Sequence, residues 1–234
     1  MEADAYVASR AQRAALLSGV YAIVNESPRC VDVVRAALAA DVRIVQYRAK
    51  VGITSDTLRA LREMTRESGA LLIVNDDVDA TRAFDCDGVH LGPDDAGFYD
   101  IARVRAILPD RLIGLSCGTV EEADPQRTEG ADYLGVGSVY ATQSKDDAGA
   151  PIGIEGLTRI ATVTPLPVAA IGGISLKNVG NVRRSGVAMA AVLSAISASD
   201  DPRAAARELV RAWGDPSGFD ARGAAEPKAE RRLK

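Results

Sequence analysis

Eight short apolar runs alternate along the chain with segments of helical periodicity, and this alternation restricts the possible folds more than any other feature. The runs are GVYAIV (19–24), RIVQYRA (43–49), LLIVND (71–76), GVHLG (88–92), LIGLSC (112–117), YLGVG (133–137), VAAIGG (168–173) and VAMAAVLS (187–194). Between them lie stretches such as VDVVRAALAA, SDTLRALREM, DIARVRAIL and LKNVGNVRR, which repeat apolar residues at helical spacing. The runs are apolar almost throughout instead of alternating, which suits parallel strands covered on both faces. Eight strands with helical connections, closing near Trp213, predict an α/β protein: a single (β/α)8 TIM barrel over residues 19–213. A doubly wound open sheet shows the same alternation, but no GxGxxG follows the first strand. Residues 1–18 are read as an N-terminal extension. Residues 214–234 are polar, contain Gly and Pro, and are expected to be a disordered tail. The fifth connection is irregular, because Pro125 interrupts the helix expected after Thr119.

The bulk properties narrow the function classes. A chain of 234 residues with a formal charge of −4 has no electrostatic footprint for nucleic acid or an anionic membrane surface. No apolar stretch reaches the ~18 residues of a membrane span. The first twenty residues lack the long apolar core of a signal peptide. Cys30, Cys86 and Cys117 are odd in number and form no CxxC, so a reducing cytoplasm is the expected compartment. Aromatic content of 4% argues against a stacking platform for single-stranded nucleic acid.

In a barrel of this kind the active site lies at the carboxyl ends of the strands, so the residues that end each run are the candidates. Strand two ends in Gln46, Arg48 and Lys50, whose spacing of two puts them on one face. Strand three ends in Asn75 and Asp76, and Asp94 and Asp95 follow strand four. Strand five ends at Ser116; a loop carrying Thr142, Ser144 and Lys145 follows strand six. Strand seven ends in Gly172 and Gly173, and strand eight in Leu193 and Ser194.

Taken singly, each residue has a structural reading. Asp76 and Asp95 could cap helices, Gly172 and Gly173 could make a tight turn, and Cys86 and Cys117 could fill the core. His90, the only histidine, lies inside a buried-type strand and is read as structural. The set says more than its members. Three cations (Arg48, Lys50, Lys145) and two carboxylates at one mouth suit a Mg²⁺–polyphosphate, with hard oxygen ligands for the metal and Lys and Arg for the remaining charge. The turn after strand seven and the backbone after strand eight make a second phosphate cradle. From the residues alone, the expectation is two phosphate-bearing ligands and a divalent cation.

These residues resemble the thiamine-phosphate synthase family. The motifs that carry the likeness are QYRAK (46–50), VNDDVD (74–79), DGVHLGPDD (87–95), IGLS (113–116), ADYLGVGSVYATQSK (131–145), AIGGI (170–174) and VLSAI (192–196), in order from about Tyr21 to Val210. The resemblance implies a Mg²⁺-dependent transferase that joins hydroxymethylpyrimidine diphosphate to thiazole phosphate, with dissociative loss of pyrophosphate. It implies that Gln46, Arg48, Lys50 and Asn75 hold the pyrimidine diphosphate and that Asp76 and Asp95 bind Mg²⁺. Ser116 and Lys145 would meet the diphosphate or the leaving pyrophosphate. Thr142, Ser144, Gly173, Leu193 and Ser194 would meet the thiazole phosphate. Arg48, Lys50, Ser116 and Lys145 are thereby the implied catalytic group, and homo-oligomer formation is compatible with it.

Some positions depart from the family pattern. Pro93 stands for a usual glutamine, no histidine lies near Gly118, Ser144 stands where threonine is common, and Pro125 breaks the fifth helix. A related thiazole tautomerase would need an acid–base group, usually histidine, in the fifth loop, and this sequence has no histidine there. A non-catalytic ligand sensor of the same pathway is a second rival. A sugar-phosphate isomerase or epimerase would explain the phosphate cradle but not Arg48, Lys50 and Asp95 together.

Overall fold

The computed structural model describes residues 9–92, 100–142, 144 and 150–214. Eight parallel strands close into a barrel in sequence order. They are β1 (Gly19–Asn25), β2 (Ile44–Arg48), β3 (Leu71–Asn75), β4 (Gly88–Leu91), β5 (Leu112–Cys117), β6 (Tyr133–Val136), β7 (Val168–Ile171) and β8 (Met189–Val192). Closure is made by β1 against β8, with Gly19 opposite Met189.

The helices among the described residues are α1 (Arg10–Ala14), α2 (Cys30–Leu38), α3 (Ser55–Ser68), α4 (Val78–Ala83), α5 (Ile101–Ile107), α6 (Gly153–Val163), α7 (Val179–Arg184), α8 (Ser194–Ser197) and α9 (Pro202–Gly214). The connection from β5 to β6 runs through turns around Pro125 with no helix, as that proline predicts. The strands are shorter than the apolar runs at β2, β3, β4, β6, β7 and β8. There the ladder stops where the backbone turns into the loops of the mouth. No helix of the described residues is long and apolar enough to cross a membrane.

The period of two along each strand sorts the core into two layers. Val20, Ala22 and Val24 of β1 point outward into the large cluster shared with Val33, Leu58, Leu61 and Leu209 of the helices. Tyr21 and Ile23 of the same strand point inward and meet Ile44, Ile73, Leu112, Tyr133 and Met189. Both faces are covered, which is why the runs read as continuous. Each such side chain taken fully out of water contributes about 1.5–3 kcal/mol.

The amino-terminal end of the barrel is closed by charge. Ser9 caps α1 in a capping box with Gln12, and Arg13 of that helix is buried against Asp87 (Nε–Oδ1 3.0 Å). Asp87, just before β4, also binds Arg62 at 2.6 Å and accepts from the Leu72 amide at 2.9 Å. Asp132, just before β6, repeats the pattern with Arg10 (2.6 Å), Arg105 (2.7 Å) and the Ile113 amide (2.8 Å). Part of the segment expected as an extension is therefore built into the barrel floor.

Candidate active site

The opposite end opens into a cavity of about 1110 Å³, above the usual range for one small ligand. Gln46, Arg48, Asn75, Asp76, Gly92 and Ser116 line one side of it. Thr142, Ser144, Gly172, Gly173, Leu193 and Ser194 line the other.

On the β2 side, Gln46 is buried and its amide donates to the Tyr21 hydroxyl at 2.7 Å. Arg48, the last residue of β2, is half-buried beside Asn25 of β1, and among the described residues it makes no ion pair. Lys50 lies beyond the strand end, is exposed, and is not among the residues lining the cavity. The shared face inferred from the spacing thus holds for Gln46 and Arg48 and ends with the strand.

Asn75 closes β3 and Asp76 turns the chain away from it. Asp76 has φ +68°, a left-handed conformation that Asp tolerates better than most residues. Its amide donates to the His90 carbonyl (2.9 Å), one carboxylate oxygen accepts from the Gly92 amide (3.2 Å), and the other accepts from the Asn75 side chain. The helix cap at this junction is Asp77, which accepts from the Ala80 amide at 2.7 Å. Asp76 does not cap that helix, and its exposed carboxylate lies at the mouth. Asp95 and Lys145, with Pro93 and Asp94, lie outside the described residues.

The far wall is backbone-rich. Gly172 (φ +97°) and Gly173 (φ +64°) fold the chain back on the β6 loop, and a Cβ on either would come within 2.5 Å of Ser138 or Ala141 atoms. Only glycine meets both the conformation and the close approach. Ser194 opens α8 directly after β8, and Thr142 Oγ1 accepts from the Ser144 amide at 3.2 Å. The loop after β5 is held by Glu122, whose carboxylate accepts from the Gly118 (2.6 Å) and Thr119 (3.2 Å) amides.

Several lining residues were not singled out from the sequence: Tyr21, Glu122, Ser138 and Ser175. His90, read as structural, is buried in β4 yet also lines the cavity, and its ring nitrogens bond Tyr133 and Ser116. Strand glycines were the available signal. A Cβ on Gly114 would strike the Tyr133 ring at 2.2 Å, and one on Gly135 would strike His90 at 2.8 Å.

A closed parallel barrel with such a cavity at its carboxyl end has the architecture of the (β/α)8-barrel enzymes. The family model described as thiamine monophosphate synthase matches residues 20–196. Thiamine-phosphate synthase of Chloroflexus aurantiacus is 44% identical over 180 residues, 76% of this chain and 82% of that one. The enzyme of Archaeoglobus fulgidus is 47% identical over 182 residues, 76% and 84% of the two chains. A solved thiamine phosphate pyrophosphorylase from Pyrococcus furiosus superposes with a TM-score of 0.77 at 38% identity, over 86% of this chain and 98% of that one. The chain belongs to the thiamine-phosphate synthase family. It is accordingly an enzyme of the transferase class. A 3-hexulose-6-phosphate synthase (17% identity, TM-score 0.59, 83% of this chain and 99% of that one) shares the fold alone.

Proposed function

We propose that the enzyme condenses hydroxymethylpyrimidine diphosphate with a thiazole phosphate to give thiamine phosphate and pyrophosphate, with Mg²⁺ bound and with pyrophosphate leaving before attack. The observation that carries this reading is one cavity with two unlike walls. One wall offers an arginine, an amide and a carboxylate, and the other offers glycine turns, hydroxyls and backbone. Two phosphorylated substrates can meet there, and the family model described as thiamine monophosphate synthase spans residues 20–196, which include the residues of both walls.

The fit to Mg²⁺ rests on Asp76. Its carboxylate is exposed at the mouth, is not spent on capping α4, and is a hard oxygen ligand of the kind Mg²⁺ takes. Among the described residues no three His, Cys, Asp or Glu side chains gather, so the remaining ligands would be Asp95, diphosphate oxygens and water. When bound, Mg²⁺ supplies neutralisation of charge on the departing pyrophosphate.

The residues divide accordingly. Gln46 and Asn75 orient the pyrimidine. Arg48, Lys50, Lys145 and Ser116 stabilise the charge gathered as the bond from methylene carbon to oxygen breaks and its electron pair leaves with pyrophosphate. The aminopyrimidine delocalises the cation left at the methylene. Thr142, Ser144, Gly173, Leu193 and Ser194 hold the thiazole phosphate so that its ring nitrogen can form the new C–N bond. Such a step needs leaving-group stabilisation more than a general base. The buried, free thiols of Cys30, Cys86 and Cys117 suit a reducing cytoplasm.

The test is incubation with both substrates and Mg²⁺. Thiamine phosphate and pyrophosphate should form in equal amounts. Binding of both ligands without product would favour the sensor, and proton exchange on the thiazole alone would favour the tautomerase.

A further inference from the structure

Five polar side chains form a continuous chain of hydrogen bonds through the barrel interior, joining the expected pyrimidine end of the cavity to the expected diphosphate end. Gln46 Nε2 donates to Tyr21 Oη at 2.7 Å, and Tyr21 Oη lies 2.9 Å from Tyr133 Oη. Tyr133 Oη lies 3.1 Å from His90 Nδ1, and His90 Nε2 lies 3.2 Å from Ser116 Oγ. Tyr133 is the node, fully buried, with the Tyr21 ring at 6.1 Å on one side and the His90 ring at 5.5 Å on the other. Glycines at 114 and 135 give these rings their space, since a Cβ at either would overlap them. Burial pushes both phenols well above their usual range, so both keep their hydrogens.

Proton counting gives the chain a direction. The Gln46 NH₂ group can only donate, so the Tyr21 oxygen accepts; were it to accept from Tyr133 as well, its own hydrogen would have no partner along the five side chains, so that hydrogen turns to Tyr133. The Tyr133 hydrogen then turns to His90 Nδ1, which must be unprotonated. The imidazole proton therefore sits on Nε2 and is donated to Ser116 Oγ. With that bond accepted, the Ser116 hydrogen is directed to some other acceptor, and a phosphate oxygen is one. The reverse direction would have Ser116 donating to the imidazole and turning oxygen lone pairs towards an anion.

We propose that Tyr133 is a positioning residue which, by holding His90 in the Nε2–H tautomer, fixes Ser116 as a hydrogen-bond donor to the diphosphate. The same direction leaves the Gln46 carbonyl oxygen as the acceptor for an amino group on the pyrimidine. One polarity thus serves both ends of one substrate. This inference rests on the diphosphate site proposed above.

His90 is the only histidine of the chain, so its ring nitrogens can be observed without assignment. The experiment is ¹⁵N NMR of the full, tag-free chain labelled at histidine, alone and with Mg²⁺ and inorganic pyrophosphate. The expected spectrum in both states is that of the neutral Nε2–H tautomer. Tyr133→Phe keeps the ring and removes the hydroxyl. It should abolish the tautomer preference and lower kcat about tenfold, the worth of one hydrogen bond, with thiazole-phosphate affinity unchanged. An Nδ1–H tautomer or an imidazolium in the pyrophosphate-loaded wild type overturns the relay, whether or not the variant folds. A wild type with the Nε2–H tautomer that fails to bind Mg²⁺-pyrophosphate counts against the synthase reading and leaves the hydrogen-bond direction standing.

Discussion

The two ends of the barrel use the same residue types to opposite purpose. At the floor, Asp87 and Asp132 are buried, each bound by two arginines and a backbone amide. At the mouth, Asp76 is exposed, and the arginine on its side of the cavity, Arg48, makes no ion pair among the described residues. Charge that is satisfied inside the protein adds to specificity and stability. Charge exposed at an opening is within reach of a ligand. The division follows the general rule for such barrels, in which stability resides at the amino end and chemistry at the carboxyl end of the strands.

The largest expected effect tests the floor. Asp87→Ala would leave Arg13 and Arg62 buried without their carboxylate, and breaking such a set typically costs about 3–5 kcal/mol. Urea unfolding should show that loss, while turnover per folded molecule in mild conditions stays near wild type. A variant as stable as wild type would mean that the floor pairs only offset their own desolvation.

The mouth should give the converse. Lys50→Ala and Asp76→Ala are each expected to lower turnover by about a hundredfold, ~3 kcal/mol of leaving-group stabilisation, with folding stability changed by less than about 1 kcal/mol. Thiazole-phosphate binding, measured separately, should be unaffected by Lys50→Ala. Equal weakening of both ligands would remove Lys50 from the diphosphate site. Unchanged Mg²⁺ dependence in Asp76→Ala would remove Asp76 from the metal site.

How these ends appeared in the sequence differs in the same way. The strands were legible because both faces of each are buried, and the candidates at the mouth followed from where the apolar runs stop. The floor was not legible. Helix α1 has five residues and is held by Arg10 and Arg13, whose partners Asp132 and Asp87 are distant in sequence, so no local period announces it. Asp76 and Asp77 are neighbours of one type, and only the backbone separates cap from site. Tyr21, His90 and Tyr133 sit in strands and read as core; their polar atoms meet only when the barrel closes.

Thiols give a smaller and shared effect. Burial raises the pKa of Cys86, beside the floor, from 9.0 to about 12, and that of Cys117, beside the mouth, from 9.0 to about 11. A raised folded-state pKa means that both thiols are protonated in both states below pH 9. Above it the unfolded thiols ionise first, and the stability they contribute is lost by about pH 12. Unfolding free energy should therefore fall as pH rises past 9, less so in Cys86→Ala. A flat profile up to pH 11 would contradict burial as the dominant cause.

The smallest expected effect lies at the carboxyl terminus. Helix α9 ends at Gly214, and its last turn is anchored: Trp213 is 9% exposed and the Arg183 guanidinium lies 5.4 Å above its ring. Beyond it, the sequence of residues 215–234 offers Phe219 and Leu233 as its only large apolar side chains among Gly, Pro and many charges. Ending the chain after Gly214 should thus leave turnover unchanged and the melting temperature within a degree or so. Ending it two residues earlier removes Trp213 and with it a buried aromatic worth about 3–5 kcal/mol, so that variant should melt many degrees lower. A comparable loss in the longer variant would show that the tail docks on the barrel.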